Sequence, residues 1–498
     1  MKKRLALLLA LMLTLTSCHG PETPELPEET PPPEQEQTQV IDIPFQLAVY
    51  DQYSLHPILA ENRANLALSS LLYEPLFELN AAFEAEGVLC DNWTVSEDGL
   101  IWTFSLHPGI TFSDGTPLTG EIAAAAVNTA RTAPSRYVSR LSGISAVSAE
   151  GLTLTVTLSA PNGDLPVLLD IPIPLDNSDR PLGTGRYVLR EKDGNLSLAA
   201  RTDHRSGNDL PAEEIPLKSV SRSDELILSF ESGDVALVDV DLMGTNSLGY
   251  SGSYETWDYA TTSMLYLGFN TRSGLCRSTD VRRALALGID RESIAQVDFA
   301  RHAVPAELPV HPNSPLYDHQ TAAALAYAPE ELMTRLEELH LSGRPLTLLV
   351  NSENAARVHA AERIAQQLNW TGLAVSVEKL AFEDYTLALQ RGEFDLYLGE
   401  VVLTADFDLS ALLLPGGALN YGGWAEEELP ALLSQFRASH GLLRSIHAKS
   451  LYSFLAQEVP IAPICFKNGC VLTRWGRLSG LEPVRGNVFY HLEGWIIA

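Results

Sequence analysis

The chain carries none of the short signatures that mark the common catalytic and nucleotide sites. It has no Gly-x-Ser-x-Gly, no His-Glu-x-x-His, no phosphate-cradling P-loop and no Gly-x-Gly-x-x-Gly. Basic residues are also scarce: 34 Lys+Arg stand against 63 Asp+Glu, a formal net charge of −29. So acidic a surface repels phosphate backbones, which excludes nucleic acid as a partner. The charge alone does not argue for a cationic ligand, because self-repulsion also serves solubility. Cysteine is sparse, and beyond Cys18 only Cys90, Cys276, Cys465 and Cys470 remain, too few for a disulfide scaffold. Cys465 and Cys470 flank Asn468-Gly469, which reads as a two-residue hairpin turn. In that register Cys470 faces Lys467, so a bridge between the two cysteines is not expected, and metal binding by the pair is expected still less.

What is present begins with length. The 498 residues exceed what one core organises and predict two or three domains. Lys2-Lys3-Arg4 and the apolar stretch Leu5 to Leu15 form a targeting segment too short to span a bilayer as a stable helix. No other run is long and apolar enough to do so. Leu15-Thr16-Ser17-Cys18 resembles a lipobox, which makes residues 1–17 a signal peptide and Cys18 the lipid-bearing first residue; a plain secretory signal is the alternative. The Pro- and Glu-rich stretch that follows cannot build a core, so residues 18–40 read as an extended, self-repelling tether.

Order is expected from Ile41. Residues 66–79 read as a helix leading into an extended piece, and 93–106 as a hairpin turning at Glu97-Asp98-Gly99. Thr119 opens a helix over 121–131, and residues 227–240 read as strand, turn, strand. Residues 244–263 are polar and carry little pattern. Met264 to Phe269 alternates as a strand, after which Asp280 and Asp290 can each cap a helix. Strands at 346–350, 373–377 and 394–403 alternate with helices at 354–368 and 383–390, a β-α-β-α-β unit with a parallel sheet. Ligands of such sheets lie outside the carboxyl ends of the strands, here Asn351 to Glu353 and Thr404 to Asp408. His302, His311 and His319 lie in a proline-rich loop at no recognised metal-ligand spacing and read as solvent-exposed.

Several of these stretches resemble family 5 of the bacterial extracellular solute-binding proteins. The likeness rests on LYEPLFEL at 72–79, SEDGLIWTFSLHPGITFSDGTPLTGE at 96–121, LGFN at 267–270 and DVRRALALGIDRESI at 280–294. It implies an α/β, two-lobed, type II periplasmic-binding-protein-like fold with an extra subdomain in the first lobe. Lobe I would comprise 41–262 and 467–498, with the subdomain at about 70–185, and lobe II 263–466. The hinge would lie near Met264–Asn270 and Pro460–Phe466.

The resemblance also implies a function: capture of a peptide-like or other small solute between the lobes and delivery to the permease subunits of an ABC importer. The protein would be an exported monomer, held at the outer face of the cytoplasmic membrane by its lipid anchor, or periplasmic. No cofactor, resident metal or catalysis is expected. A ligand sensor for a signalling partner and an extracellular hydrolase are the rival classes. Thr404-Ala-Asp-Phe-Asp408 resembles the family segment whose aspartate pairs with a ligand α-ammonium, which puts Asp406 in that role, although the proline that follows in the family is absent. Asn351 stands where dipeptide-binding members hold an arginine for the ligand carboxylate, and an amide cannot replace that bidentate cation. Asn420 and Trp424 lie in a segment resembling the family's asparagine-centred loop; Trp424 can wall the cleft or simply pack at a helix start.

The first prediction concerns Cys18. One acyl chain binds membranes only marginally, so a stable anchor needs several, as a diacylglyceryl cysteine supplies. Cys18→Ser is expected to leave the protein soluble or unprocessed on fractionation. A mature-size, detergent-extractable membrane protein from that variant would refute the assignment.

Overall fold

The computed structural model describes residues 45–207 and 209–498. Cys18 and the expected signal peptide and tether lie outside the described residues. Among the described residues no helix is long and apolar enough to cross a membrane.

Two long antiparallel strands, Tyr254–Phe269 and Ile461–Arg474, run through the middle of a seven-stranded sheet. Leu237–Val240 extends the sheet at one end of this pair. At the other end Leu396–Val402, Pro345–Asn351 and Ala374–Leu380 continue it, the last three mutually parallel, with Ala303–Pro305 on the edge of Ile461–Arg474. Helices Ala355–Trp370 and Phe382–Arg391 connect the parallel strands. The register of the long pair slips between Ala260 and Ser263, opposite Asn468 and Lys467, and again between Leu265 and Tyr266, opposite Cys465 and Pro463. Such irregularities bend a strand and raise its twist.

Met264 to Phe269 is buried on both faces, because the sheet is covered on both sides. Tight cross-strand pairs explain its glycine. Gly268 lies opposite Tyr397, where an added Cβ would sit 2.1 Å from the ring. Tyr266 lies over Gly399 in the reciprocal arrangement, and the two tyrosines meet edge to face at 5.8 Å. The Asn270 amide donates to the carbonyls of Gly392 and Phe394 and accepts from the amides of Arg272 and Ser273, so it fastens the turn after the strand. Arg282 and Arg291, both buried, donate mainly to main-chain carbonyls, and Arg282 also lies 3.9 Å from the Glu458 carboxylate. Arg282 reaches Glu458, Val459, Cys276 and Arg277; Arg291 reaches Pro463, Ala286, Ile289 and Leu325. The Asp-Val-Arg-Arg…Ile-Asp-Arg run is thus a clamp on the entry to the second long strand.

A second four-stranded antiparallel sheet, ordered 90–95, 101–106, 153–158 and 144–150, packs on helix Gly120–Thr132 and has its own core around Phe104, Phe112, Val127 and Val156. A third sheet, Leu47–Val49, Glu214–Ser219, Asn195–Ala200 and Tyr187–Lys192, packs with helix Arg63–Leu72.

Several local expectations are corrected. Residues 227–240 are not strand–turn–strand: Ser223–Ser232 is a helix with Asp224 and Glu225 in its first turn and left-handed Gly233 at its end, and only Leu237–Val240 is a strand. Ser278, not Asp280, occupies the cap position of helix Thr279–Leu287. The patternless stretch 244–263 contains the start of the first long strand at Tyr254. Asn468-Gly469 is no turn. The strand passes straight through it, the two residues paired with Ala260 and Tyr259 of the first long strand and the Asn468 amide donating to the His302 carbonyl, with Gly469 beneath the Tyr259 ring, where an added Cβ would lie 2.1 Å from it. The four described cysteines are unbridged and buried.

His311 is likewise not solvent-exposed: it is fully buried between the rings of Phe83 and Phe466, each 5.1 Å away. Its Nδ1 accepts from the Asn313 amide, and burial lowers its pKa from 6.5 to about 4. The unfolded chain binds this proton below about pH 6.5, whereas the folded one resists it to about pH 4. The stability contributed by the neutral ring is therefore whole above pH 6.5 and is lost as pH falls towards 4, by about 3 kcal/mol. In urea unfolding, His311→Gln should flatten the loss of stability between pH 7 and 4.5. An unchanged pH slope would contradict this.

Candidate interlobe site

The carboxyl ends of strands Pro345–Asn351 and Leu396–Val402 hold two of the candidate residues. Asp406 is buried, at 4% exposure. Its Oδ2 accepts from Asn162 Nδ2 at 2.9 Å, and its Oδ1 accepts from the Thr404 hydroxyl and, at 3.4 Å, from the Asp408 amide. Asn162 follows strand Thr153–Leu158 of the inserted sheet, so the contact joins two separately cored parts of the molecule. All three donors are neutral. The nearby cation, Arg444, donates to the Asp406 carbonyl at 2.7 Å, pairs through Nε with Asp164 at 3.1 Å and stacks on Phe436. Burial raises the Asp164 pKa, Arg444 opposes that, and the like charges of Asp406 and Glu84 add to it. Asp164 is thus the carboxylate paired with Arg444, while buried Asp406 and exposed Glu84 act on it as like charges.

The backbone here is strained. Phe407 (φ 54°) and Phe83 (φ 66°) both adopt left-handed conformations that cost a bulky residue about 1–3 kcal/mol. Their rings meet edge to face at 5.4 Å across the same seam. Beside them opens a cavity of about 690 Å³ lined by Glu84, Trp93, Trp102, Asp164, Phe407 and Arg444, among others. That volume suits a small organic ligand, and aromatic walls with a few polar groups are the usual construction.

A second polar seam lies at the register slip of the long strands. Buried Lys467 pairs with Glu400 at 2.7 Å and lies 3.6 Å from Asp241. Arg357 lies 3.5 Å from Glu400 and donates to Thr245, while Asn354 caps its helix and donates to the Met243 carbonyl. Asp241 and Thr245 also line a cavity of about 410 Å³ with Tyr50, Asn62, Arg63 and Asp239. Sequence reasoning missed Lys467, Glu400 and Arg357. The available signal was a lone lysine in an apolar strand, hidden by the apparent Asn-Gly turn beside it.

The other candidates sit apart from these contacts. Asn351 is buried; its Oδ1 accepts from the Glu353 amide, and its Nδ2 meets no acceptor among the described residues. The Asn420 amide bonds entirely within its own loop, to the carbonyls of Leu413, Leu414 and Trp424 and the amide of Trp424. Trp424 is buried against Phe454. Neither these three nor Asp406 lines either cavity.

With this geometry in hand, comparison with known proteins is direct. The profile described as "Bacterial extracellular solute-binding proteins, family 5 Middle" matches residues 84–417. The chain is 23% identical over 351 residues to a probable D,D-dipeptide-binding periplasmic protein of Escherichia coli, a match covering 64% of this chain and 65% of that protein. It is 26% identical over 298 residues to the nickel-binding periplasmic protein of the same organism, covering 51% and 55% respectively. With the oligopeptide-binding protein of Bacillus subtilis the match is 23% identical and covers 88% of this chain and 90% of the relative. Among solved structures, a murein tripeptide binding protein in an unliganded open form superposes with a TM-score of 0.74 at 18% identity, covering 91% of this chain and 97% of that one. An ABC transporter substrate-binding protein of Listeria monocytogenes gives 0.72 at 19% identity, covering 91% and 99%. These neighbours share the type II periplasmic binding fold.

Proposed function

The chain belongs to the bacterial extracellular solute-binding proteins of family 5, and on that footing we propose that it is the lipid-anchored substrate-binding component of an ABC importer. It captures a small solute that bears a cationic amine, such as a peptide, between its lobes and hands it to a membrane permease. It works as an exported monomer anchored through Cys18 and carries out no chemistry on its ligand. Lobe I comprises 41–262 and 467–498, with the inserted subdomain, and lobe II 263–466. The lobes rotate about the two long strands.

The observation that carries the ligand assignment is the Asp406 carboxylate: buried, held by three neutral donors, and close to the like charge of Asp164. A buried carboxylate answered only by neutral donors is poorly compensated until a cation arrives, and a cation touching both lobes supplies the differential affinity that closure requires. Asn351, with an uncommitted amide at the end of the neighbouring strand, would take a polar group of the same ligand. Asn420 and Trp424 would serve by holding the loop that carries the site.

Native mass spectrometry of the purified protein, searched for co-purified solute, identifies the ligand, and calorimetry then tests the residue. Asp406→Asn keeps size and removes charge; it should weaken binding by roughly 2–5 kcal/mol, well beyond an exposed ion pair. Asp408→Asn, which changes a side chain engaged with Ser410 and facing Arg437, should matter less. Unchanged affinity in Asp406→Asn, or a ligand with no cationic group, would contradict the reading.

A further inference from the structure

A few residues from the slip that carries the second seam, three side chains of metal-binding type converge on the long strands. Asp258 and Cys470 are direct cross-strand partners, which places their side chains on the same face of the sheet. His302 arrives from outside the sheet, on the segment that leads into strand Ala303–Pro305, and its carbonyl is fixed by the Asn468 amide at 2.9 Å. Its Nδ1 lies 2.9 Å from each Asp258 oxygen. The His302 nitrogen, an Asp258 oxygen and the Cys470 sulfur all lie within 4.8 Å of one another. The sulfur forms the buried floor, at 1% residue exposure, while the imidazole and carboxylate side chains are 17% and 27% exposed and give an entry path.

A separate observation points to a ligand. Asn468 donates from Nδ2 to Asp258 at 3.1 Å, yet its Oδ1 is buried and meets no donor among the described residues. Turning the amide over would set that oxygen against the carboxylate, so the orphan is an acceptor. A buried acceptor without a donor, beside a carboxylate, an imidazole and a thiol, is what a cation or its bound water would satisfy.

We propose that Asp258, His302 and Cys470 form a binding site for a divalent zinc-type ion, with Asn468 Oδ1 or a water in the fourth position. One thiolate, one imidazole and one carboxylate is a donor set that suits zinc, whereas magnesium and calcium prefer all-oxygen sites. The ideal bond lengths of 2.0–2.3 Å require only a modest contraction of the sulfur towards the other two ligands. Burial and the Asp258 carboxylate push the Cys470 thiol pKa up, so the metal binds by displacing the S–H proton to solvent as the S–metal bond forms. The ion would tie the 299–305 segment to both long strands a few residues from the slip at Ala260 and Ser263, stiffening the part of the sheet about which the lobes turn.

The test uses the full-length, detergent-solubilised protein titrated with Co²⁺, followed by displacement with Zn²⁺. The wild type should take one equivalent and develop the near-ultraviolet thiolate-to-cobalt charge-transfer band. Cys470→Ser should remove the band, and His302→Gln and Asp258→Asn, at more exposed positions, should each weaken uptake by roughly tenfold or more. Circular dichroism on each variant separates loss of a ligand from loss of the fold, and the two exposed variants serve should Cys470→Ser fail to fold. A wild type without the band, a band that survives in Cys470→Ser, or equal affinity in His302→Gln would overturn the site.

Discussion

The rest of the molecule depends on one pairing: strands Tyr254–Phe269 and Ile461–Arg474 lie side by side from end to end. The two ends of the pair have different neighbours, Leu237–Val240 at one end and the parallel β-α-β-α-β unit at the other. A shared ladder of this kind forbids the two halves from sliding along each other without breaking main-chain hydrogen bonds. Bending or twisting where the register slips disturbs few of them. Arg282 and Arg291 strengthen the constraint at the start of the second strand. A guanidinium buried among carbonyls satisfies several acceptors, so its removal would leave them unpaired at once.

Electrostatics divides this acidic protein into two regimes. Most of the excess carboxylates are solvated and contribute to solubility more than to the fold. A few are withdrawn from water at the seams, where desolvation is severe and each charge must be answered. At the strand slip the answer is internal, with Lys467 and Arg357 set against Glu400 and Asp241. Around Asp406 it is incomplete, because its carboxylate meets only neutral donors, and the strained Phe407 and Phe83 lie at the same place. Incompletely compensated charge and backbone strain coincide at this position.

Much of the architecture was legible because it is written locally. Asp98-Gly99 names the hairpin between Cys90–Val95 and Ile101–Leu106, Thr119 caps its helix, and alternating helix and strand patterns from 345 to 402 fix the parallel unit. The errors arise where distant residues override local preference. Asn468-Gly469 has turn chemistry, but both residues are paired with the first long strand and Tyr259 requires a glycine beneath it. His311 sits in a proline-rich polar stretch, yet Phe83 and Phe466, far away in the chain, enclose it. The site was legible only in part. Asp406 was reachable from the strand it follows, but Asn162, its partner 244 residues earlier, leaves no trace in either local sequence.

The central claim is that the two lobes close on a ligand by rotation about the paired long strands. Small-angle scattering of the protein with and without its cognate solute tests this most directly, because rotation brings separately cored masses together without unfolding either. The account predicts a smaller radius of gyration at saturating ligand. A radius unchanged at saturation, with binding verified by calorimetry in the same sample, would contradict it.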